Sequence, residues 1–282
     1  MSDTVTVTRL QAMKHTGEKI VGVVAWDTQV ARIVDRAGVD LVSVGDTVGV
    51  NLWGQSHPLE VTIDQMLIVA QAVRRGVTRA LVSCDFPFGP VQEGVDAAVK
   101  AAIRLVKEAG VDLVKVDGAG DYPDAVEAIT RAGIPVIAQF GITPQTALRY
   151  GVPYQSASAV TSQVPVELTD QMIAEARRLE AAGAVMLNFT NSGPIVGPAV
   201  VDSVSIPVVG GFGGGPWLDG RIRMVTAAIG YSANSVDETP PDAYTNVGAA
   251  IHEAIAQYSQ DVRDARQIRG GVVRPPSETT EG

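Results

Sequence analysis

Three aspartates in this chain stand where short apolar runs end. Asp46, Asp85 and Asp117 each follow a run rich in Val and Leu, and Lys115 lies within the last of these runs. If the runs are parallel strands of one barrel, their carboxyl ends meet at a single rim and bring the three carboxylates together. Any one of these acids alone is explained more simply as a polar residue that ends a strand. Three at equivalent places favour a shared site.

Three oxygen donors on one rim suit a hard divalent cation such as Mg²⁺. The sequence therefore predicts a metal site formed by Asp46, Asp85 and Asp117. Lys115 could hold an anionic oxygen of a ligand beside that metal.

A repeated sequence pattern indicates the strands that position these residues. A helical stripe, a glycine that can end the helix and an apolar run recur, with glycines at Gly38, Gly110, Gly133 and Gly183. The apolar runs do not alternate with polar residues, as expected when both faces of a parallel sheet are buried. Strands are predicted near 20–25, 41–45, 80–84, 113–117, 135–139, 185–189 and 206–210, with a weaker eighth near 228–231. Helices are predicted near 28–37, 63–75, 92–109, 123–132, 169–182, 196–204, 218–227 and 243–267.

This alternation fits a (β/α)8 TIM barrel or an open doubly wound sheet. The Gly-x-Gly-x-x-Gly phrase of a Rossmann sheet is missing after the first strand, which favours the barrel. We expect one α/β barrel domain over residues 1–269 and a disordered tail over 270–282. The loop 140–166 has no clear periodicity, and so long a loop is typical of a lid or a binding loop.

Composition restricts the partners. The chain has 282 residues, a net charge of −9 and a single cysteine, Cys84. Nucleic acids and anionic membranes attract clustered Lys and Arg, which this chain lacks, so neither is expected as a partner. The start of the chain does not resemble an export signal, and no apolar stretch approaches the length of a membrane span. We expect a soluble cytoplasmic protein.

Several segments resemble the ketopantoate hydroxymethyltransferase family, which belongs to the phosphoenolpyruvate mutase/isocitrate lyase superfamily. The resemblance covers about residues 8–260. The segments that carry it, in order, are 41–49, 58–62, 72–76, 85–88, 114–118, 140–145 and 206–210.

The resemblance implies a reaction. In that family a 2-oxo acid chelates Mg²⁺, loses a proton from the adjacent carbon, and attacks the one-carbon unit of methylenetetrahydrofolate. It implies that Asp46 and Asp85 bind the metal, and that Asp117 takes the place of the usual Glu, directly or through water. It also implies that Lys115 bonds the oxo acid and that Thr47 helps to seat its carboxylate. A homo-oligomer is expected on the same ground.

The chain departs from the family at other positions. Thr190 stands where the family has the glutamate that takes the substrate proton, and Gln139 replaces a histidine. Thr226-Ala227 stands where the family has a His-Asp pair. Neutral hydroxyl and amide groups do not accept a proton near neutral pH. We therefore predict that Thr190 and Asn191 donate hydrogen bonds to a new substrate or to a developing oxyanion. Gln139 is a candidate substrate-binding residue together with Asp46, Thr47, Asp85 and Lys115, and the candidate catalytic residues are Lys115, Thr190 and Asn191.

Three functions are compatible with this pattern. The first is a transferase that adds a metal-bound enolate to a one-carbon or imine electrophile, with an altered substrate. The second is a carbon–carbon lyase or decarboxylase, which forms the enolate without removing a C–H proton. The third is a metabolite-binding protein without activity, which the retention of Asp46, Asp85 and Lys115 disfavours.

Overall fold

The computed structural model describes residues 4–151 and 163–270. Part of the predicted loop 140–166 and nearly all of the predicted disordered tail lie outside these ranges. The chain divides into two compact units, 1–224 and 225–282. None of the helices in the described ranges has the length and apolar character that crossing a membrane requires.

The first unit is a closed barrel of eight parallel strands in chain order, with β8 pairing back onto β1. The strands are β1 (Ile20–Val24), β2 (Leu41–Val44), β3 (Leu81–Asp85), β4 (Leu113–Val116), β5 (Val136–Gly141), β6 (Met186–Thr190), β7 (Val208–Gly210) and β8 (Gly220–Met224). The predicted TIM barrel is confirmed. Strands β2, β3, β4 and β6 are buried along their whole length, which explains why their sequences do not alternate.

Helices connect the strands within this unit. They are α1 (Val7–Thr16), α2 (Thr28–Arg36), α3 (Val48–Leu52), α4 (Ile63–Arg74), α5 (Val95–Ala109), α6 (Pro123–Arg131), α7 (Thr169–Ala181) and α8 (Val196–Ser203). Several end as the repeated glycine predicted: Gly110 takes a left-handed conformation, and its N–H bonds the carbonyl of Val106. Helices α1 and α3 were not predicted.

The prediction for the eighth strand was wrong. We predicted a helix over 218–227 and a strand near 228–231, but β8 occupies Gly220–Met224. Gly220 and Ile222 are buried, the other three residues are partly exposed, and pairing with β1 closes the barrel. A side chain at Gly220 would lie 2.3 Å from the carbonyl oxygen of Ile20, so only glycine allows this approach. Pairing with a strand at the other end of the chain outweighed the local helical pattern.

The second unit is described over 225–270. It contains α9 (Val225–Ile229), a 3-10 turn at Ala233–Val236 and α10 (Val247–Arg263). The side chain of Asn246 caps α10 by accepting a hydrogen bond from Ala249 N at 2.9 Å. The extension of a single domain to residue 269 stays a prediction.

Candidate active site

The carboxyl ends of β2, β3 and β4 carry the residues that the sequence analysis singled out. Asp46, Asp85, Lys115 and Asp117 are all buried at this rim, with 5 to 7% of each residue exposed. Asp85 and Lys115 are direct register partners on neighbouring strands. The barrel therefore brings the predicted acidic cluster together, as parallel strands of matched length should.

Lys115 and Asp85 form a buried ion pair, with 2.8 Å between Nζ and Oδ2. Burial raises the pKa of Asp85, although the ammonium group opposes this effect. Burial alone would lower the pKa of Lys115, but the charge and hydrogen bond of Asp85, together with the charges of Asp46 and Asp117, make the net shift upward. The lysine is therefore charged at neutral pH and can hold an anionic oxygen.

Two buried serines orient Asp85 through hydrogen bonds. The hydroxyl of Ser83 donates to Ser43 Oγ at 3.0 Å, and Ser43 Oγ donates to Asp85 Oδ1 at 3.4 Å. Both serines are completely buried. This relay crosses from β3 to β2 and restricts the orientation of the carboxylate.

Asp46 lies beyond the end of β2 and accepts a hydrogen bond from Gln145 Nε2 to Oδ2 at 3.1 Å. Burial and the neighbouring carboxylates of Asp85 and Asp117 raise the pKa of Asp46 to about 8. Burial has the largest effect on this pKa, and the repulsion from Asp85 and Asp117 adds to it, while Lys115 opposes it.

Asp117 follows β4 and has one oxygen, Oδ1, that is buried without a hydrogen-bond partner in the described part of the chain. Burial raises the pKa of Asp117 to about 6, against the lowering effect of a hydrogen bond from Thr143. A buried carboxylate oxygen without a partner costs free energy unless a ligand satisfies it. A cavity of about 110 Å³ opens beside this residue, lined also by Gln145, Tyr122 and Arg149.

These features fit a divalent cation. Three carboxylates face one lysine, one carboxylate oxygen is unsatisfied, and every donor is a hard oxygen. Within the described ranges, no group of three or more His, Cys, Asp or Glu side chains converges closely enough to hold an ion by itself.

Thr47 follows Asp46 and is buried at the start of α3. Its side chain does not cap the helix, and its carbonyl accepts hydrogen bonds from the backbone and side chain of Asn51. A side chain at Gly45 would approach Thr47 Oγ1 to 2.9 Å, so the glycine leaves room for this hydroxyl. Its predicted contact with a substrate carboxylate stays a prediction.

The adjoining part of the rim, on β5 and β6, is neutral. Gln139 on β5 donates from Nε2 to Thr190 Oγ1 at 3.1 Å, and Asn188 on β6 donates from Nδ2 to Gln139 Oε1 at 3.4 Å. All three residues are buried. The structure thus joins two predicted site residues, Gln139 and Thr190, in one network.

Asn191 differs from Thr190 in its backbone conformation and in its hydrogen-bond partners. It adopts a left-handed conformation with φ 57°, is completely buried, and donates its side-chain amide to the carbonyl of Ile142 at 2.9 Å. Its backbone N–H bonds the carbonyl of Phe212, and its own carbonyl accepts from Val164. These bonds hold the loop after β6, and the predicted role of Asn191 toward a substrate remains a prediction.

Sequence reasoning missed some residues of this region. Ser43, Ser83 and Asn188 are polar side chains inside mostly apolar strands. Ser83 lies two residues before Asp85 on β3, and Asn188 lies two residues before Thr190 on β6. That period of two was the signal that could have identified Ser83 and Asn188. Gln145 gave no comparable signal, because its contact with Asp46 depends on the path of the loop after β5.

The family model of ketopantoate hydroxymethyltransferase matches residues 4–267. The 3-methyl-2-oxobutanoate hydroxymethyltransferase of Cyanothece sp. is 38% identical over 265 residues, which cover 92% of this chain and 96% of that protein. The protein of the same name from Pyrococcus abyssi is 36% identical over 253 residues, covering 88% and 85%.

Solved structures of lower identity share the fold. The 2,3-dimethylmalate lyase, a member of the PEP mutase/isocitrate lyase superfamily, matches with a TM-score of 0.58 and 15% identity, covering 94% of this chain and 89% of that one. Phosphonopyruvate hydrolase in complex with oxalate and Mg²⁺ matches with a TM-score of 0.54 and 13% identity, with the same coverage of each chain.

Proposed function

The chain belongs to the ketopantoate hydroxymethyltransferase family, and we propose that it is a metal-dependent enzyme that adds the enolate of a 2-oxo acid to a one-carbon or imine electrophile. Its relatives are named hydroxymethyltransferases, so a C–C bond-forming reaction is the family's activity. The metal dependence, the altered substrate and the use of methylenetetrahydrofolate as co-substrate are parts of the proposal.

The observation that carries the proposal is the buried Lys115–Asp85 pair beside two further carboxylates. An ion pair that served stability alone would not need Asp46 and Asp117, whose charges make the cluster unfavourable. Such strain in a buried cluster is typical of a site that binds a ligand.

We propose that Mg²⁺ is held directly by Asp46 and Asp85, with Asp117 bound directly or through water. When bound, this cation would act as a Lewis acid that withdraws charge from a carbonyl oxygen. Gln145 orients Asp46, and the serine relay orients Asp85. A fold neighbour, phosphonopyruvate hydrolase, is known with oxalate and Mg²⁺, which supports a site for a small dicarbonyl anion in this barrel type.

The side chains of this protein would position the 2-oxo acid. Lys115 supplies a fixed positive charge for an anionic oxygen, and the buried Thr47, which follows Asp46 in the chain, would bind the substrate carboxylate through its hydroxyl. Thr190 supplies a hydroxyl that can stabilise developing oxyanion charge. A substrate more acidic at carbon 3 than 2-oxoisovalerate would reduce the need for the absent glutamate base.

The experiment is proton exchange at carbon 3, followed by NMR in D2O. The purified protein is incubated with Mg²⁺ and a panel of 2-oxo acids. Metal-dependent loss of the carbon 3 proton signal from at least one compound is expected, and the Asp85→Asn variant should lose it. No exchange with any compound would contradict the proposal.

A carbon–carbon lyase or decarboxylase is the second candidate. It is favoured by the Gln139–Asn188–Thr190 side of the rim, which has no carboxylate, because C–C cleavage forms an enolate without a C–H base. Release of CO2 or fragmentation of an oxo acid in the same NMR experiment would favour it over the transferase.

We also propose a cytoplasmic location and a homo-oligomer. The one cysteine, Cys84, is buried and forms no disulfide, which fits a reducing compartment. Ile251, Ile255, Tyr258 and Val262 form an exposed apolar stripe on α10, a surface that a second subunit could cover. The molar mass from light scattering after size-exclusion chromatography tests the oligomer, and a monomer would contradict it.

A further inference from the structure

The neutral network on β5 and β6 is an incomplete chain of hydrogen bonds. Asn188 donates to Gln139, and Gln139 donates to Thr190. Both bonds run from donor to acceptor in the direction from Asn188 to Thr190, so this series of hydrogen bonds has two ends. One is the carbonyl oxygen of Asn188, and the other is the hydroxyl proton of Thr190.

Both ends are unsatisfied. Asn188 Oδ1 is buried without a hydrogen-bond partner, and within the described part of the chain Thr190 Oγ1 takes part in its bond with Gln139 only as an acceptor. Asn188 is 4% exposed and Thr190 is 2% exposed, so bulk water does not solvate them freely. A buried polar group without a partner is costly, which indicates that a ligand or a bound water completes the chain.

Reversing the chain leaves the same requirement. If both side-chain amides are turned over, Thr190 donates to Gln139, Gln139 donates to Asn188, and the Asn188 amide hydrogens become the free donor. One donor and one acceptor remain in either direction. A carboxylate or an ammonium group satisfies only one of these ends, whereas a hydroxyl group of a ligand satisfies both, as the water it would displace does.

The geometry allows one hydroxyl to serve both ends. Asn188 and Thr190 are two residues apart on β6, so their side chains leave the same face about 6–7 Å from each other. That spacing is between their attachment points; one oxygen can bond both ends if these lie within about 5.6 Å of each other, which the lean of both side chains toward the Gln139 amide allows.

The network also adjoins the acidic cluster. Val116 pairs with Ala138 in the β4–β5 register, which places Asp117 and Gln139 at the same height on neighbouring strands. Gln139 in turn pairs with Asn188. A molecule held by the acidic cluster would therefore extend its far end toward the network.

From this we infer that the substrate is a hydroxylated 2-oxo acid, and that Asn188 and Thr190 select it by hydrogen bonding its hydroxyl group. The inference rests on the proposed function, because the acidic cluster must hold the oxo acid end. Gln139 acts as a positioning residue that fixes the direction of both partners.

The test compares pairs of 2-oxo acids that differ by a hydroxyl in place of a methyl group. These are 3-hydroxypyruvate with 2-oxobutanoate, and 4-hydroxy-2-oxobutanoate with 2-oxopentanoate. Affinities are measured by titration calorimetry on the full chain with Mg²⁺, so no turnover is needed. In at least one pair the hydroxylated member should bind about 10- to 100-fold more tightly.

Isosteric variants identify the groups responsible. Thr190→Val and Asn188→Leu should each reduce the preference toward unity while retaining the affinity for the apolar member. Thr130→Val removes a hydroxyl from α6 that bonds the carbonyl of Ala182, and it should keep the wild-type preference. If Asn188→Leu does not fold, Thr190→Val alone decides the matter.

A failure of this inference can be distinguished from a failure of the proposed function. If wild type binds both members of each pair equally with Mg²⁺, the inference is overturned and the proposed function stands. If no 2-oxo acid binds with Mg²⁺, both are overturned. An unchanged preference in Thr190→Val would assign the selectivity to other residues and would also overturn the inference.

Discussion

Gln145 links Asp46 to Phe86, the residue that follows β3, through two hydrogen bonds. Its amide donates to Asp46 Oδ2 at 3.1 Å and to the carbonyl of Phe86 at 3.2 Å. The loop after β5 thereby holds a carboxylate that follows β2, across 99 positions of the sequence. This contact lowers the pKa of Asp46, against the larger effect of burial.

The first prediction concerns this contact. Gln145→Met keeps the length of the side chain but removes the donor, so Asp46 loses its orientation. We expect the affinity for Mg²⁺ to fall by about 10- to 100-fold, the usual effect of losing a hydrogen bond to a metal ligand. Calorimetry measures it. Gln71→Met, on the outer helix α4, is the control and should have no effect. Equal affinity in Gln145→Met and wild type would refute the prediction.

The second prediction concerns the proposed metal ligands. Asp46→Asn and Asp85→Asn should each abolish measurable Mg²⁺ binding, because an amide replaces a charged oxygen donor. Asp117→Asn should weaken binding less if it acts through water. Asp64→Asn, an exposed carboxylate on α4 paired with Arg104, is the control. Circular dichroism checks folding. Normal Mg²⁺ affinity in both Asp46→Asn and Asp85→Asn would exclude the assignment.

The third prediction concerns pH. The pKa of Asp46 is about 8 and that of Asp117 is about 6, both above the ordinary carboxyl value. The folded protein therefore binds these protons more tightly than the unfolded chain does. The contribution of these two groups to the free energy of unfolding is fully present below about pH 4 and is lost as pH rises toward 8. Other titrating groups add their own effects to this contribution.

Thermal unfolding with and without Mg²⁺ measures this effect. Without the metal, Tm should decline more between pH 5 and 8 in wild type than in Asp46→Asn, by about 2–4 °C for each kcal/mol of stability. Mg²⁺ should offset the decline, because it binds the ionised carboxylates. Identical pH profiles for wild type and Asp46→Asn would be the contrary result.

The fourth prediction concerns the buried ion pair. Lys115→Met leaves Asp85 buried without its partner, and breaking such a pair typically costs about 3–5 kcal/mol. Adding Asp85→Asn should recover most of that loss. Urea denaturation without metal measures both. Arg104→Met disrupts the exposed pair with Glu108 on α5 and should have a much smaller effect. Equal stability of the single and double variants would mean that the two charges are not coupled.

Much of this site follows from the sequence because it depends on strand ends. Asp46, Asp85 and Asp117 follow apolar runs and Lys115 lies within one, and parallel strands in a barrel bring their carboxyl ends to one rim whatever the details of packing. The same argument could not place Gln145, since a loop without periodicity decides its position.

The missed strand has a related cause. Gly220–Met224 looks locally like the start of a helix, and it becomes a strand because β7 and β1 lie on either side of it. Asn188 was overlooked because it interrupts an apolar run. Its role depends on Gln139, which only the register of β5 and β6 brings opposite to it.

The last prediction concerns the absent base. With 2-oxoisovalerate, Mg²⁺ and methylenetetrahydrofolate, we expect wild-type turnover at least about 10²-fold below the ordinary range of about 1–10³ per second. Thr190 accepts a hydrogen bond from Gln139 and has no charge with which to take the proton from carbon 3. Thr190→Glu should raise the rate, because it restores a carboxylate at the end of β6. Thr190→Gln, of equal size but neutral, should not. Wild-type turnover within the ordinary range would show that another group acts as the base. Equal rates in the Glu and Gln variants would show that the limitation lies in substrate binding and not in proton transfer.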